Sequence, residues 1–275
     1  YVISIHKPIM LRGRHGIGKS CVVYQLGKLI GKRVTERRVS QMTEGDTIGL
    51  PRISDKGTEW ILPDFIQDAI ENPVILFFDE LDRGTTEVRQ AIFELCDSHK
   101  IAGHSLHPDT ILFAAVNGGE SGSQYQVGEL DPAELDRWTV FDCEPTIEDW
   151  LTWAKDIVHP IVWDFINQNH NHLEHKGDFE PNKVYPSRRS WHRFSDCLNA
   201  GAKELLIEGQ VNSTIANLAI AFVGLEASVC FCDFVKNYSF VVTPEDILDK
   251  GKFELVKDFQ ATDHLALVEK FNSIF

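Results

Sequence analysis

The sequence predicts an α/β fold: a five-stranded parallel sheet with flanking helices, followed by an α-helical domain. Three observations carry this. Strand and helix signals alternate through residues 8–143, the pattern of a parallel sheet covered on both faces. Residues 74–78 and 111–116 are wholly apolar, as strands buried on both faces are. From Thr146 onward the strand signal fades and helical spacing takes over. The expected boundary lies near residue 145, giving an α/β domain over 1–145 and a helical lid domain over 146–275.

The elements follow in order. Residues 8–11 form a short apolar run ended by Gly13, hence a strand. Over 19–30, Val22, Val23, Leu26, Leu29 and Ile30 recur at helical spacing and Gly31 supplies a stop. Residues 33–40 read as the second strand, 74–78 as the third, 85–96 as a helix, 111–116 as the fourth strand and 140–143 as the fifth. Two insertions interrupt this frame. Residues 43–60 are polar and glycine-rich, and 100–108 read as a small hairpin turning at Gly103. Beyond 146, helices are expected over 150–157, 161–167, 190–199 and 211–234, with a polar connector at 170–186.

A chain of 275 residues with 43% hydrophobic content suits one or two globular domains. The most apolar stretch, 215–234, is interrupted by Asn217, Gly224, Glu226, Ser228 and Asp233. A buried helix is expected there, with no membrane span. Residues 1–11 lack a long apolar core, so no signal peptide is expected. The six cysteines form no C-x-x-C pair, which points to reduced thiols and a cytoplasmic protein.

The net charge of −14 opposes broad nucleic-acid binding. Its distribution is uneven. Through Arg38 there are nine Lys or Arg against one acid, Glu36, so this part carries +8 and the remainder −22.

Gly13, Arg14, His15, Gly16, Ile17, Gly18, Lys19 and Ser20 fit G-x-x-x-x-G-K-[ST]. Glycines let successive backbone N–H groups curl around phosphate oxygens, and the following helix adds its positive end. Lys19 is placed to reach β- and γ-phosphates, and the Ser20 hydroxyl to ligate Mg²⁺. Cys21, at the exit of the loop, is included in the nucleotide-binding set. The strand at 74–78 ends in Asp79 and Glu80. Asp79 would hold the Mg²⁺ shell and Glu80 would orient and polarise an attacking water. ATP and Mg²⁺ are the expected cofactors.

With these residues in place, the chain resembles the MoxR branch of AAA+ ATPases, in the dynein-related subfamily. The resemblance is carried by Asp79-Glu80-Leu81-Asp82-Arg83, by Asn117 after the fourth strand, and by Leu130-Asp131-Pro132-Ala133-Glu134-Leu135-Asp136-Arg137. Asp46-Thr47-Ile48-Gly49-Leu50-Pro51 and Glu148-Asp149-Trp150-Leu151 extend it. It covers roughly residues 8–198, and the rest is matched only as helical. It implies an AAA+ P-loop fold and ATP hydrolysis. Asn117 matches the sensor-1 residue that helps Glu80 place water. Arg137 matches the arginine finger that reaches a neighbouring subunit's γ-phosphate. Arg189 matches the sensor-2 arginine of the lid, with Arg188 its rival. The resemblance further implies a hexameric ring that remodels a protein partner, in some members one with a von Willebrand A domain. Members usually carry a helix before the first strand; here seven residues precede Pro8.

Other constellations read more plainly. His170, His172 and His175 are expected in a solvated loop rather than around a metal. Trp60, Trp150, Trp163 and Trp191 are expected in core or lid packing. Arg137 could otherwise be a surface partner of Asp136 or Glu134. Two functional alternatives stand beside the remodeller: a nucleic-acid motor or loader, supported by the basic segment 28–38, and a nucleotide-switched scaffold with little turnover.

Overall fold

The computed structural model describes residues 2–55, 57–118, 130–201, 213–237, 247–248, 251, 253–257, 264, 267–268 and 271. The chain divides into two compact units, Tyr1–Thr152 with Lys176–Pro181, and Trp153–His175 with Asn182–Phe275. The first unit therefore runs past residue 145 and takes back a short piece of the connector.

The elements are β1 (Ile9–Arg12), α1 (Lys19–Ile30), β2 (Val34–Arg38), α2 (Glu44–Ile48), β3 (Leu50–Ser54), β4 (Gly57–Ile61), α3 (Asp64–Glu71), β5 (Ile75–Asp79), α4 (Thr86–Ser98), β6 (Lys100–Ile101), β7 (His104–Ser105), β8 (Ile111–Val116), α5 (Pro132–Asp136), β9 (Thr139–Asp142), α6 (Ile147–Ala154), α7 (Pro160–Gln168), α8 (Arg188–Ala200) and α9 (Ser213–Asn237).

Five strands make one parallel sheet in the order β2-β5-β8-β1-β9. Alternate residues of its central strands enter two separate cores, as the period of two requires. Met10, Leu76, Phe78, Leu112, Ala114 and Val116 pack on one face with Phe65, Ile66 and Ala69 of α3 and Val88, Ile92 and Leu95 of α4. Ile9, Leu11, Ile75, Phe77, Ile111, Phe113 and Ala115 pack on the other with Val23, Leu26 and Ile30 of α1. Each fully buried side chain of this size stabilises by about 1.5–3 kcal/mol, so the sheet is the rigid base of the site. The chain leaves β1 at its C-terminal edge between β8 and β9, the position where open α/β sheets build ligand sites.

Five elements of the first unit were not anticipated. The glycine-rich insertion contains α2 and the antiparallel hairpin β3–β4, with Leu50 opposite Ile61 and Pro51 opposite Trp60. Its strands stand clear of the main sheet and bury neither face, so no alternation marks them. Trp60, expected in packing, is 44% exposed for the same reason. α3 is short, and α5 is a single capped turn in which Asp131 and Glu134 form a capping box.

The second unit gathers Phe165 of α7, Trp191 and Phe194 of α8 and Phe231 of α9. Their ring centroids lie between 5.2 and 6.1 Å apart for Phe165–Trp191, Phe165–Phe231, Trp191–Phe194 and Phe194–Phe231. By length and hydropathy, α9 could cross a membrane. Yet Ile215, Ala219, Val223, Ala227, Phe231 and Val235 form a fully buried stripe, and Gly224 breaks the helical dihedrals at φ 80°. A side chain at 224 would meet the Val184 carbonyl oxygen at 2.2 Å. His172 and His175 are ring-packed against Phe165 and Tyr185, and no cluster of metal ligands occurs among the described residues.

Candidate functional site

β1 delivers the chain to Gly13, whose N–H donates to the Val116 carbonyl at 3.3 Å. A Cβ at 13 would lie 2.4 Å from the Cys143 carbonyl oxygen and 2.8 Å from Ile17 Cδ1. The loop passes so close to the end of β9 that only glycine fits. Gly18 then takes a left-handed conformation and opens α1, which aims the first N–H groups of the helix into the loop.

Lys19 is the centre of the arrangement. Its Nζ donates to the Gly13 and Arg14 carbonyls, both at 2.8 Å, and to Asn117 Oδ1 at 3.1 Å. Lys19 and Asn117 are both buried. The phosphate-loop lysine and the polar residue ending β8 therefore meet directly, although 98 residues separate them.

Beside this contact, Ser20 Oγ donates to Asp79 Oδ2 at 3.4 Å. Burial, then the charge of Glu36, push the Asp79 carboxyl above its ordinary range, while the Glu80 N–H bonded to it pulls the other way. Glu36 in turn accepts from the Tyr24 hydroxyl, whose pKa is pushed up to about 12 by that bond. A hydroxyl and a carboxylate oxygen converge next to the phosphate loop. This hard-oxygen donor set fits Mg²⁺, and a cation there would relieve the charge repulsion on Asp79.

Glu80 sits at φ 55°, a left-handed conformation costing about 1–2 kcal/mol for a residue of this kind. Its Oε2 accepts from Ser40 Oγ at 2.7 Å. Asp82 is buried, and its Oδ2 accepts the Asn117 backbone N–H at 2.9 Å. Burial raises the Asp82 carboxyl above its ordinary range.

The structure thus brings Lys19, Ser20, Asp79 and Asn117 together, with Glu80 adjacent. Arg14, His15, Gly16 and Ile17 complete the loop, and His15 lies 6.3 Å by ring centroid from Phe179 in the returning connector. Cys21 is exposed on α1. Arg137 is not joined to them: its Nε donates to Asp97 and its Nη1 to the Ala133 carbonyl. Its partner is neither Asp136 nor Glu134. Arg189 belongs to the second unit and is exposed in the first turn of α8, whereas Arg188 is buried and paired to Glu174 at 3.2 Å. Sequence reasoning missed Ser40, Asp82, Asp97 and Phe179. The β2–β5 register, which sets Arg38 against Asp79, would have pointed to Ser40 had the strand order been known.

Residues 8–137 match the family model described as AAA domain (dynein-related subfamily). A RuvB mutant of Thermotoga maritima is similar in structure at TM-score 0.50 and 11% identity, over 82% of this chain and 64% of that one. The fold is that of an AAA+ P-loop protein. A second structure, described as the Thermotoga maritima RuvB Holliday junction branch migration motor, aligns at TM-score 0.49 and 12% identity over the same shares. The chain spans 64% of the length of each of these two structures. Within the AAA+ fold, the observed loop, the acidic end of β5 and the asparagine after β8 all lie at one edge of the sheet.

Proposed function

We propose that this chain binds ATP with Mg²⁺, hydrolyses it, and uses the turnover in a ring of copies, a hexamer in our reading, to remodel a protein partner. The observation that carries the reading is the Lys19 junction: a buried ammonium held by loop carbonyls and Asn117, with Ser20 and Asp79 converging alongside.

On ATP binding, Lys19 exchanges the carbonyls of Gly13 and Arg14 for phosphate oxygens, and the N–H groups opening α1 meet the same phosphates. Ser20 and Asp79 would hold Mg²⁺. Once bound, Mg²⁺ supplies positive charge to the β- and γ-phosphate oxygens. Glu80 orients the attacking water and accepts its proton, and Asn117 helps fix that water. Arg137 serves a neighbouring copy, where an arginine at the γ-phosphate is worth about 10³–10⁵ in rate. Arg189, exposed on the helical unit, is the lid arginine.

Two features support a MoxR-type remodeller over a nucleic-acid motor. Part of the basic start is paired within the fold: Arg12 with Asp142 and Arg33 with Asp68, while Arg38 meets Glu36 of the same segment. The β3–β4 hairpin instead offers exposed apolar side chains, suited to a protein partner such as a von Willebrand A domain. All six cysteines are free thiols, consistent with the cytoplasm as its compartment.

The test separates two variants by nucleotide affinity and phosphate release. Lys19→Ala should lose ATP binding, and Glu80→Gln should bind ATP without turning it over. Tight binding by the first, or normal turnover by the second, overturns the assignment.

A further inference from the structure

Arg137 closes α5, and three supports hold its guanidinium. Nε donates to Asp97 Oδ2 at 2.8 Å, and Nη1 donates to the Ala133 carbonyl at 2.7 Å. The Phe93 ring lies beneath, with its centroid 5.6 Å from Cζ. Phe93 and Asp97 are four residues apart on α4, hence on one face of that helix. The hydrogen bond to Asp97, with its charge, raises the already high Arg137 pKa.

A guanidinium has five N–H donors, one on Nε and two on each Nη. The two bonds leave both donors on Nη2 and one on Nη1. The group is one-third exposed and borders an open cleft of about 510 Å³ between α4 and α5, whose walls include Gln90, Glu94 and Asp131.

The backbone under Arg137 is fixed separately. Arg89 of α4 pairs with Glu134 of α5 at 3.4 Å, both side chains being 12% exposed, and Glu134 also closes the capping box on Asp131. Asp97 is therefore not needed to anchor α5. What it fixes is the last stretch of a long side chain whose terminal atoms would otherwise sample many rotamers.

We infer that Asp97 is a positioning residue for trans hydrolysis: it grips Arg137 by the Nε edge and leaves the Nη2 edge for the γ-phosphate of a neighbouring copy. This rests on the reading of Arg137 as a finger. A bidentate-capable guanidinium delivers its charge best when its plane is set in advance, and a misplacement of about 1 Å can cost about 10²-fold in rate.

The experiment measures ATP affinity and steady-state phosphate release for Asp97→Ala, Asp97→Asn and Arg137→Ala, alone and in verified mixed rings with Lys19→Ala. Asp97→Ala should bind ATP like the parent and turn over about tenfold more slowly. Asp97→Asn, which keeps an acceptor oxygen, should recover much of that loss. In mixed rings Asp97→Ala should regain activity, because Lys19→Ala subunits bring an Arg137 still held by Asp97 to sites with an intact Lys19. Three outcomes overturn the inference. If Asp97→Ala turns over normally while Arg137→Ala does not, the finger stands and Asp97 has no part in it. If Arg137→Ala recovers in mixed rings and Asp97→Ala does not, Asp97 acts on its own subunit. If neither recovers, the finger reading itself falls and the inference with it.

Discussion

Asp82 reaches from the turn after β5 to the end of β8, accepting the backbone N–H of Asn117 at 2.9 Å through Oδ2. Its Oδ1 is buried and has no hydrogen-bond partner. One oxygen thus orients Asn117, whose side chain meets Lys19, while the other carries an uncompensated desolvation cost. Asp82→Ala should strand a buried N–H and lower stability by about 1–3 kcal/mol, with ATP turnover falling alongside. Asp82→Asn keeps an acceptor and removes a buried charge, so its melting temperature should equal or exceed the parent's. Thermal melts with phosphate-release rates on both variants check this.

Ser40 pins Glu80 through a 2.7 Å hydrogen bond. A carboxylate oxygen that accepts such a bond is held in place and has one lone pair fewer to offer an attacking water. Ser40→Ala should free it and raise basal ATP turnover about fivefold, the rate equivalent of a hydrogen bond worth ~1 kcal/mol. Unchanged or lower turnover, at unchanged ATP affinity, would show that Ser40 does not restrain Glu80.

Asp79 titrates above the ordinary carboxylate range because it is buried and faces Glu36. A carboxyl whose folded pKa exceeds its unfolded value of about 3.9 binds its proton more tightly in the fold. Its contribution is full below the unfolded value and is lost as pH rises through the folded one. Asp79→Asn carries no charge to desolvate. Melting of the nucleotide-free proteins from about pH 4 to about pH 8 should therefore show the variant gaining on the parent as pH rises. Added Mg²⁺ should narrow that gap by stabilising the parent alone. A gap independent of pH would remove Asp79 from the list of strained carboxylates.

Gly13 has no room for a methyl group, since the Cys143 carbonyl would be 2.4 Å away. Gly13→Ala must move the end of β9 or the loop. A loss of about 1–3 kcal/mol is expected for such overpacking, together with weaker ATP binding. Gly31→Ala, where nothing lies within 4 Å of the added carbon, is the control for affinity, although its φ of 68° costs stability of its own. Equal ATP affinity in both variants would contradict the close approach.

The sequence made the sheet legible because its strongest signals are local. Residues 19–30, bounded by Gly18 and Gly31, and the six apolar residues 111–116 coincide with α1 and β8. The phosphate loop and Asp79-Glu80 were readable as contiguous motifs. What escaped depends on strand order. Ser40 with Glu80, Asp82 with Asn117 and Asp97 with Arg137 are separated by 40, 35 and 40 residues, and nothing local marks them. The β3–β4 hairpin escaped for the opposite reason: with neither face buried, it has no hydrophobic alternation to read.

That hairpin carries the last prediction. Ile53 is 89% exposed and Trp60 44% exposed, with Leu50 and Ile61 exposed nearby. Holding ATP requires none of them, and apolar side chains displayed on an exposed two-stranded hairpin suit a protein surface. If a protein partner docks there and hydrolysis does work on it, its affinity must differ between the ATP and ADP states. Glu80→Gln protein, held in the ATP state, should therefore capture a partner that the ADP state releases. Replacing Ile53 and Trp60 with serine should weaken capture about tenfold or more, as loss of two buried apolar anchors does. ATP binding should stay intact. Shortening residues 100–108, the second insertion, tests the other loop in the same way. The pull-down is run in ATP and in ADP with nuclease present. Capture that ignores the nucleotide would favour the scaffold. Nuclease-sensitive recovery of nucleic acid alone would favour the motor, and capture untouched by the serine variants would move the docking site off the hairpin.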